Sequence, residues 1–85
     1  MQKKYIIKYI LKILKKKRNF KKIDNLQIEK FDYFDAKILD SLEILKFHMN
    51  LEKKFKIRFN SKDLTSKKIK TVGGISDIIL KRLNI

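Results

Sequence analysis

Apolar residues recur at steps of three and four positions through the middle of the chain, which is the spacing of one face of an α-helix. This stripe consists of Ile44, Phe47, Leu51 and Phe55. Asp40, followed three positions later by Glu43, is the reciprocal capping pattern of a helix start. We therefore predict a helix that begins at Ser41, continues to Phe55 and buries this stripe.

A second apolar stripe lies beside the first on the same predicted helix. It consists of Leu42, Leu45 and Met49. One helix with two apolar stripes has more apolar surface than a single small core needs. The second stripe therefore either extends the core or forms a docking patch for another protein.

The beginning of the chain predicts a helix over residues 3–17, in which lysines form one narrow polar stripe and the rest is apolar. Its apolar positions are Ile6, Ile7, Tyr9, Ile10, Ile13 and Leu14. Such a helix either lies on an anionic membrane or is the first helix of a bundle, and we favour the bundle. The basic run at residues 15–18 suits a helix C-terminus, and Asn19 is the predicted stop.

The end of the chain predicts a final helix with Thr71 as its N-cap. Its buried positions are Val72, Ile75, Ile79 and Leu83. The pair Gly73 and Gly74 weakens the first turn by about 1 kcal/mol per glycine relative to alanine, so we interpret it as a place of close helix packing. A short third helix is predicted after Asn60 or Ser61, with Leu64 buried.

Two connections complete the predicted architecture. Residues 20–39 lack clear periodicity and are predicted to be a long loop held to the core by scattered apolar side chains, with Asp32 and Asp35 forming turns. Residues 56–59 alternate polar and apolar but have no strand to pair with, so we predict a loop with Ile57 and Phe59 pointing inward. Eighty-five residues support one core, and we predict a single all-α domain over 1–85, a small bundle of three to four helices.

The charge of the chain suggests an anionic partner. It has 23 basic and 9 acidic residues and a net charge of +14, which taken alone favours nucleic acid or an anionic membrane. The lysines are spread from Lys3 to Lys81 and accompany a general excess of Lys, Ile, Asn and Phe. We therefore attribute the charge to compositional bias and expect no nucleic-acid partner. The alternative function is that of a small basic helical module that binds nucleic acid or an anionic membrane.

Composition also bears on the compartment. No stretch approaches the roughly 20 uninterrupted apolar residues that a membrane span requires, and we expect no stable insertion into a membrane. The absence of cysteine excludes a disulfide framework and fits a reducing cytoplasm. We expect a cytoplasmic protein.

Catalytic chemistry is poorly represented in the sequence. His48 is the one histidine, and it lies at the edge of the buried stripe, which predicts a half-buried packing role. Ser41 is seven residues away, about 10 Å along a helix and too far for a nucleophile and base to bond. No clustered metal ligands accompany them, so we expect neither an enzyme nor a metal site.

A family resemblance rests on the central helix. Asp40-Ser41-Leu42 at its start, and Phe55 fourteen residues after the serine within Leu51-Glu52-Lys53-Lys54-Phe55, resemble the second helix of acyl and peptidyl carrier proteins. The register continues without a gap through Ile57-Arg58-Phe59 and later Thr71-Val72. The resemblance covers nearly all of the chain, closely from about Phe34 onward and loosely before it, and the family has the same long loop between its first two helices.

The resemblance implies a non-catalytic carrier of acyl or aminoacyl groups. Because a carrier that docks transiently has no need to self-associate, we expect a monomer. A phosphopantetheinyl transferase would attach 4'-phosphopantetheine from coenzyme A to Ser41, with Asp40 helping to position the donor complex. Leu42, Leu45 and Met49, with Glu43, would contact the transferase and the acyl-transferring or condensing enzymes of fatty-acid, polyketide or related biosynthesis.

The chain departs from the family in its charge. Carrier proteins are typically acidic along this helix, whereas here Glu43 and Glu52 keep that sign and Lys46, Lys53, Lys54 and Lys56 reverse it. Either the partner enzymes compensate, or the contact is mainly apolar, or the chain serves a pathway other than general fatty-acid synthesis. We hypothesise a dedicated carrier for a specialised pathway, which predicts poor docking to a basic ketosynthase that lower salt does not improve.

Overall fold

The computed structural model describes residues 2–17, 27–36 and 38–83, and within these ranges the chain is helical with no strand. Two single 3-10 turns, at Ile28–Lys30 and Lys67–Lys70, accompany the α-helices. The helices are α1 (Lys3–Leu14), α2 (Ser41–Phe55), α3 (Ser61–Thr65) and α4 (Val72–Leu83). The predicted all-α class is confirmed. The predicted stop at Asn19 and part of the long loop lie outside the described residues.

One hydrophobic core joins the helices. Helix α1 packs on α4, and α2 adds its predicted stripe, of which Ile44 is half-buried and the other three members are buried. The buried hydrophobic residues of the long helices are Ile6, Ile10, Leu14, Phe47, Leu51, Phe55, Val72, Ile75, Ile78 and Ile79. Each fully buried aliphatic or aromatic side chain contributes about 1.5–3 kcal/mol, so this core is the main source of stability. Its formation leaves the other side of α2 uncovered.

Helix α1 ends at Leu14, three residues before the predicted end. The amides of Lys16 and Lys17 donate to the carbonyls of Ile13 and Leu14 at 3.3 and 3.0 Å, which tightens the last turn into 3-10 geometry. Leu14 is the last buried residue of the helix, and the lysines that follow it have nothing to bury. The buried face is also narrower than predicted, since Ile7, Tyr9 and Ile13 are only half-buried.

The loop before α2 is held to the core by Tyr33, which is fully buried. The amides of Phe34 and Asp35 both donate to Asp32 Oδ1 at 2.9 Å. The turn predicted here is confirmed for Asp32, whereas Asp35 contributes its backbone amide. An isolated bridge between Asp32 and Thr71 fixes the loop beside the start of α4.

Helix α3 is oriented by an ion pair instead of by an apolar side chain. Its N-cap is Asn60, and Asp63 Oδ2 and Oδ1 accept from Arg82 Nε and Nη2 of α4 at 2.9 and 3.0 Å. The guanidinium holds the pKa of the Asp63 carboxyl below its usual range. The prediction that Leu64 is buried is wrong, because Asp63 takes the inward position and leaves Leu64 48% exposed.

The start of α4 lies against two 3-10 turns. Thr71 is confirmed as the N-cap, since its Oγ1 accepts from the Gly74 amide at 3.0 Å. A Cβ on Gly73 would lie 2.8 Å from the Glu29 carbonyl oxygen, and one on Gly74 would lie 1.9 Å from that of Lys68. The close approach predicted for the glycine pair is confirmed, with the 3-10 turns as the neighbours. The inward positions predicted for Ile57 and Phe59 are also confirmed, half-buried and buried respectively.

Candidate functional site

The start of α2 is a complete capping box. The Glu43 amide donates to Asp40 Oδ1 at 2.8 Å, and the Asp40 amide donates to Glu43 Oε1 at 3.2 Å. Asp40 has extended backbone, with φ −79° and ψ 177°, as an N-cap requires. The predicted pattern is confirmed, and it makes Ser41 the first residue of the helix.

Ser41 is exposed to solvent. Within the described part of the chain, no hydrogen bond engages its hydroxyl. The first turn of a helix leaves backbone amides without intrahelical partners and carries the positive end of the helix dipole. The hydroxyl is therefore accessible and lies where a negatively charged substituent is electrostatically favourable.

Glu43 also ties this end of α2 to the end of α1. Lys17 Nζ donates to Glu43 Oε2 at 2.6 Å. The ammonium of Lys17, with the Asp40 amide, lowers the pKa of the Glu43 carboxyl. Glu43 was predicted to contact partner proteins, and it lies beside Ser41 as expected, but its carboxylate is already engaged inside the domain.

The second apolar stripe of α2 faces solvent. Leu42, Leu45 and Met49 are 58%, 56% and 57% exposed, so the interpretation as additional core is wrong. We call these three residues the outward patch. The patch begins at the residue after Ser41 and continues along the helix for two turns, which brings the predicted modification and docking residues onto one surface.

His48 lies on the buried side of α2, at 8% exposure. Tyr33 Oη donates to the Ile69 carbonyl, so His48 Nε2 is the donor in its 3.0 Å bond to Tyr33 Oη. The rings of Phe34 and Phe59 pack against the imidazole. The predicted packing role is confirmed, with more complete burial than expected. Burial lowers the pKa of His48, and the negative charge of Glu52 partly opposes that shift.

Lowering the pH from about 7 to about 5 is expected to destabilise the wild-type fold. In this range the His48 imidazole of the unfolded chain binds a proton, whereas the buried imidazole of the folded chain stays neutral. The loss begins near the ordinary His pKa of 6.5 and ends at the lowered pKa of the folded state. Urea unfolding across this range measures it. The free energy of unfolding of His48→Gln is expected to stay constant over the same pH range, since the chain has no second histidine. A flat wild-type curve would contradict the burial of a neutral imidazole.

A second serine at a capped helix start was not identified from the sequence. Ser61 is the first residue of α3, and Asn60 and Asp63 form the same reciprocal box, with bonds of 2.8 and 3.0 Å. The spacing of an N-cap residue and an acid three positions later was visible in the sequence. Ser61 therefore shares the local geometry of Ser41, but it opens a helix of only 5 residues.

Comparisons with protein-family models, with curated proteins and with solved structures found no match. No helix in residues 2–17, 27–36 and 38–83 combines the length and the apolar character needed to cross a membrane. The same ranges contain no group of three or more potential metal ligands. The candidate function therefore depends on the start of α2 and on the surface beside it.

Proposed function

We propose that the chain is a carrier of acyl or aminoacyl groups, modified at Ser41 by 4'-phosphopantetheine. The observation that carries the proposal is an exposed, unengaged serine hydroxyl at a capped helix start, followed directly by an exposed apolar patch. When bound, this group supplies a terminal thiol, and with it thioester chemistry, to a chain that has no cysteine.

The residues at the start of α2 fit such a group. A phosphodiester on Ser41 Oγ would lie beside the amides of the first turn, where the helix dipole stabilises negative charge by roughly 0.3–1 kcal/mol. Asp40 fixes the position of the serine through its bond to the Glu43 amide. Burying the serine or replacing the cap would remove this arrangement.

The outward patch gives the carrier its means of recognition. Leu42, Leu45 and Met49 offer apolar contacts to a phosphopantetheinyl transferase and then to the acyl-transferring or condensing enzymes that use the carried group. Methionine adapts its shape to different surfaces, which suits a protein with several successive partners. The chain positions and presents the group, and the reactions belong to those partners.

Intact mass spectrometry tests the proposal. The chain is incubated with a broad-specificity phosphopantetheinyl transferase and coenzyme A, and a gain of one phosphopantetheine is mapped to a fragment containing Ser41. Because cations on α2 would repel a basic transferase, the reaction is run at low salt and at about 1 M salt, where charges are screened beyond about 3 Å. A chain that keeps its unmodified mass in both conditions contradicts the proposal.

A further inference from the structure

The outward side of α2 carries an excess of positive charge. Lys46 and Lys53 are exposed and make no salt bridge with any described residue. Of the two acids of the helix, Glu43 pairs with Lys17, whereas Glu52 keeps its negative charge and its Oε2 accepts from the Phe59 amide at 2.9 Å. The outward side therefore presents ammonium groups beside the outward patch.

A groove extends this cationic surface beyond the helix. It has a volume of about 660 Å³ and runs between α2 and the segment 57–59. Met49 of the outward patch lines it, together with three cations, Lys46, Lys53 and Arg58, and one carboxylate, Glu52. Met49 thus belongs to both features, and the apolar patch and the cationic groove form one continuous surface.

We propose that this surface docks a folded protein whose contact area has an apolar centre and a rim of carboxylates. The inference rests on the proposed function and assigns the chemistry of the enzymes that receive this carrier. Complementary charge at an interface speeds encounter and excludes partners of like charge. An acidic rim would face Lys46, Lys53 and Arg58, while apolar side chains cover Leu42 and Met49.

The exposed apolar side chains of the outward patch favour a protein partner over a nucleic acid. Phosphate backbones bind lysine and arginine wherever these are exposed, and they offer no apolar surface to cover two leucines and a methionine. A polyanion would spread over the whole basic surface of the domain. A protein partner of the proposed kind would instead concentrate its contacts on α2 and the groove.

Binding of two designed helical peptides tests the inference. One presents a leucine stripe flanked by glutamates, and the other presents the same stripe flanked by lysines. Nuclear magnetic resonance of the labelled chain gives both the affinity and the location. We expect the acidic peptide to bind and to shift the amides of Leu42, Leu45, Met49 and residues 57–59, and the basic peptide to bind at least tenfold more weakly.

Two matched pairs of charge reversals distinguish the effect of this surface on binding from the effect of the overall charge. Lys46→Glu/Lys53→Glu and Lys8→Glu/Lys12→Glu lower the net charge equally, and Lys8 and Lys12 are exposed on α1. We expect the first pair to raise the Kd for the acidic peptide about tenfold and the second less than about threefold. Far-ultraviolet circular dichroism checks that both chains are folded. If either is not, the glutamine versions of both pairs, Lys46→Gln/Lys53→Gln and Lys8→Gln/Lys12→Gln, are compared instead.

Three results would overturn the inference: no binding of the acidic peptide, equal binding of both peptides, or equal weakening by the two reversals. Chemical-shift changes spread over all lysines, and reproduced by single-stranded DNA, would indicate general attraction of polyanions and would likewise contradict the inference. Loading of Ser41 is scored separately by mass. If the chain stays unmodified but binds the acidic peptide on α2, the carrier function is contradicted and the acidic partner is not. If the chain is loaded but does not bind the peptide, only the acidic partner is contradicted.

Discussion

A Ser41→Ala chain is expected to keep its unmodified mass after incubation with the transferase and coenzyme A, while the wild-type chain gains one phosphopantetheine. The loss is complete because the modification forms a bond to the hydroxyl oxygen that alanine lacks. Ser41 is exposed and opens α2, so alanine, the best helix former, leaves the fold intact. Intact mass spectrometry measures the gain, and circular dichroism confirms the fold.

The matched control is Ser61→Ala. Ser41 and Ser61 are each the first residue of a helix, each behind an N-cap whose side chain accepts from the amide three residues on. Only Ser41 is followed by the outward patch on a helix of 15 residues. Ser61→Ala is therefore expected to load as the wild type does.

The two serine variants separate recognition from local geometry. If the transferase modified both serines, the capped helix start alone would be sufficient and the outward patch would have no part in recognition. If Ser61 were modified and Ser41 were not, the site assigned here would be wrong. Loss of loading in Leu45→Ala, with Ser41 present, would show that the patch contributes to the encounter.

Features that depend on nearby residues were predictable from the sequence. The capping box of Asp40 and Glu43, the N-cap Thr71 and the buried stripe of α2 each arise from residues within about one to four turns. Spacing alone carries such information, because helix periodicity and capping are local. The position of Ser41 at a helix start was predictable for the same reason.

Features that depend on distant partners were not predictable. Leu64 is exposed because Asp63 turns inward to meet Arg82, nineteen residues away in the chain. The end of α1 depends on where the core stops, and Lys17 then meets Glu43 across the fold. Neither the exposure of Leu64 nor the end of α1 can be predicted from local periodicity. The exposure of Leu42, Leu45 and Met49 likewise required knowing how many neighbours pack on α2.

Gly74→Ala is expected to destabilise the fold by about 2–3 kcal/mol, although alanine is favoured over glycine in helices by about 1 kcal/mol. The added Cβ would lie 1.9 Å from the Lys68 carbonyl oxygen and 2.7 Å from Thr71 Oγ1. Either the 3-10 turn at Lys67–Lys70 must move away or the N-cap of α4 must break. Urea denaturation measures the loss, which is a large part of the roughly 5–10 kcal/mol expected for a domain of this size.

Gly73→Ala is the natural comparison, because the same atom is added one residue earlier. Its Cβ would lie 2.8 Å from both the Cβ and the carbonyl oxygen of Glu29, so the backbone of the turn at Ile28–Lys30 must also shift, but by less than the 1.9 Å contact at Gly74 requires. The gain in helix propensity offsets more of this cost, so Gly73→Ala is expected to be the more stable of the two variants. A Gly74→Ala chain more stable than the wild type would mean that the turn at Lys67–Lys70 does not press against α4, and that the glycine pair has no packing role.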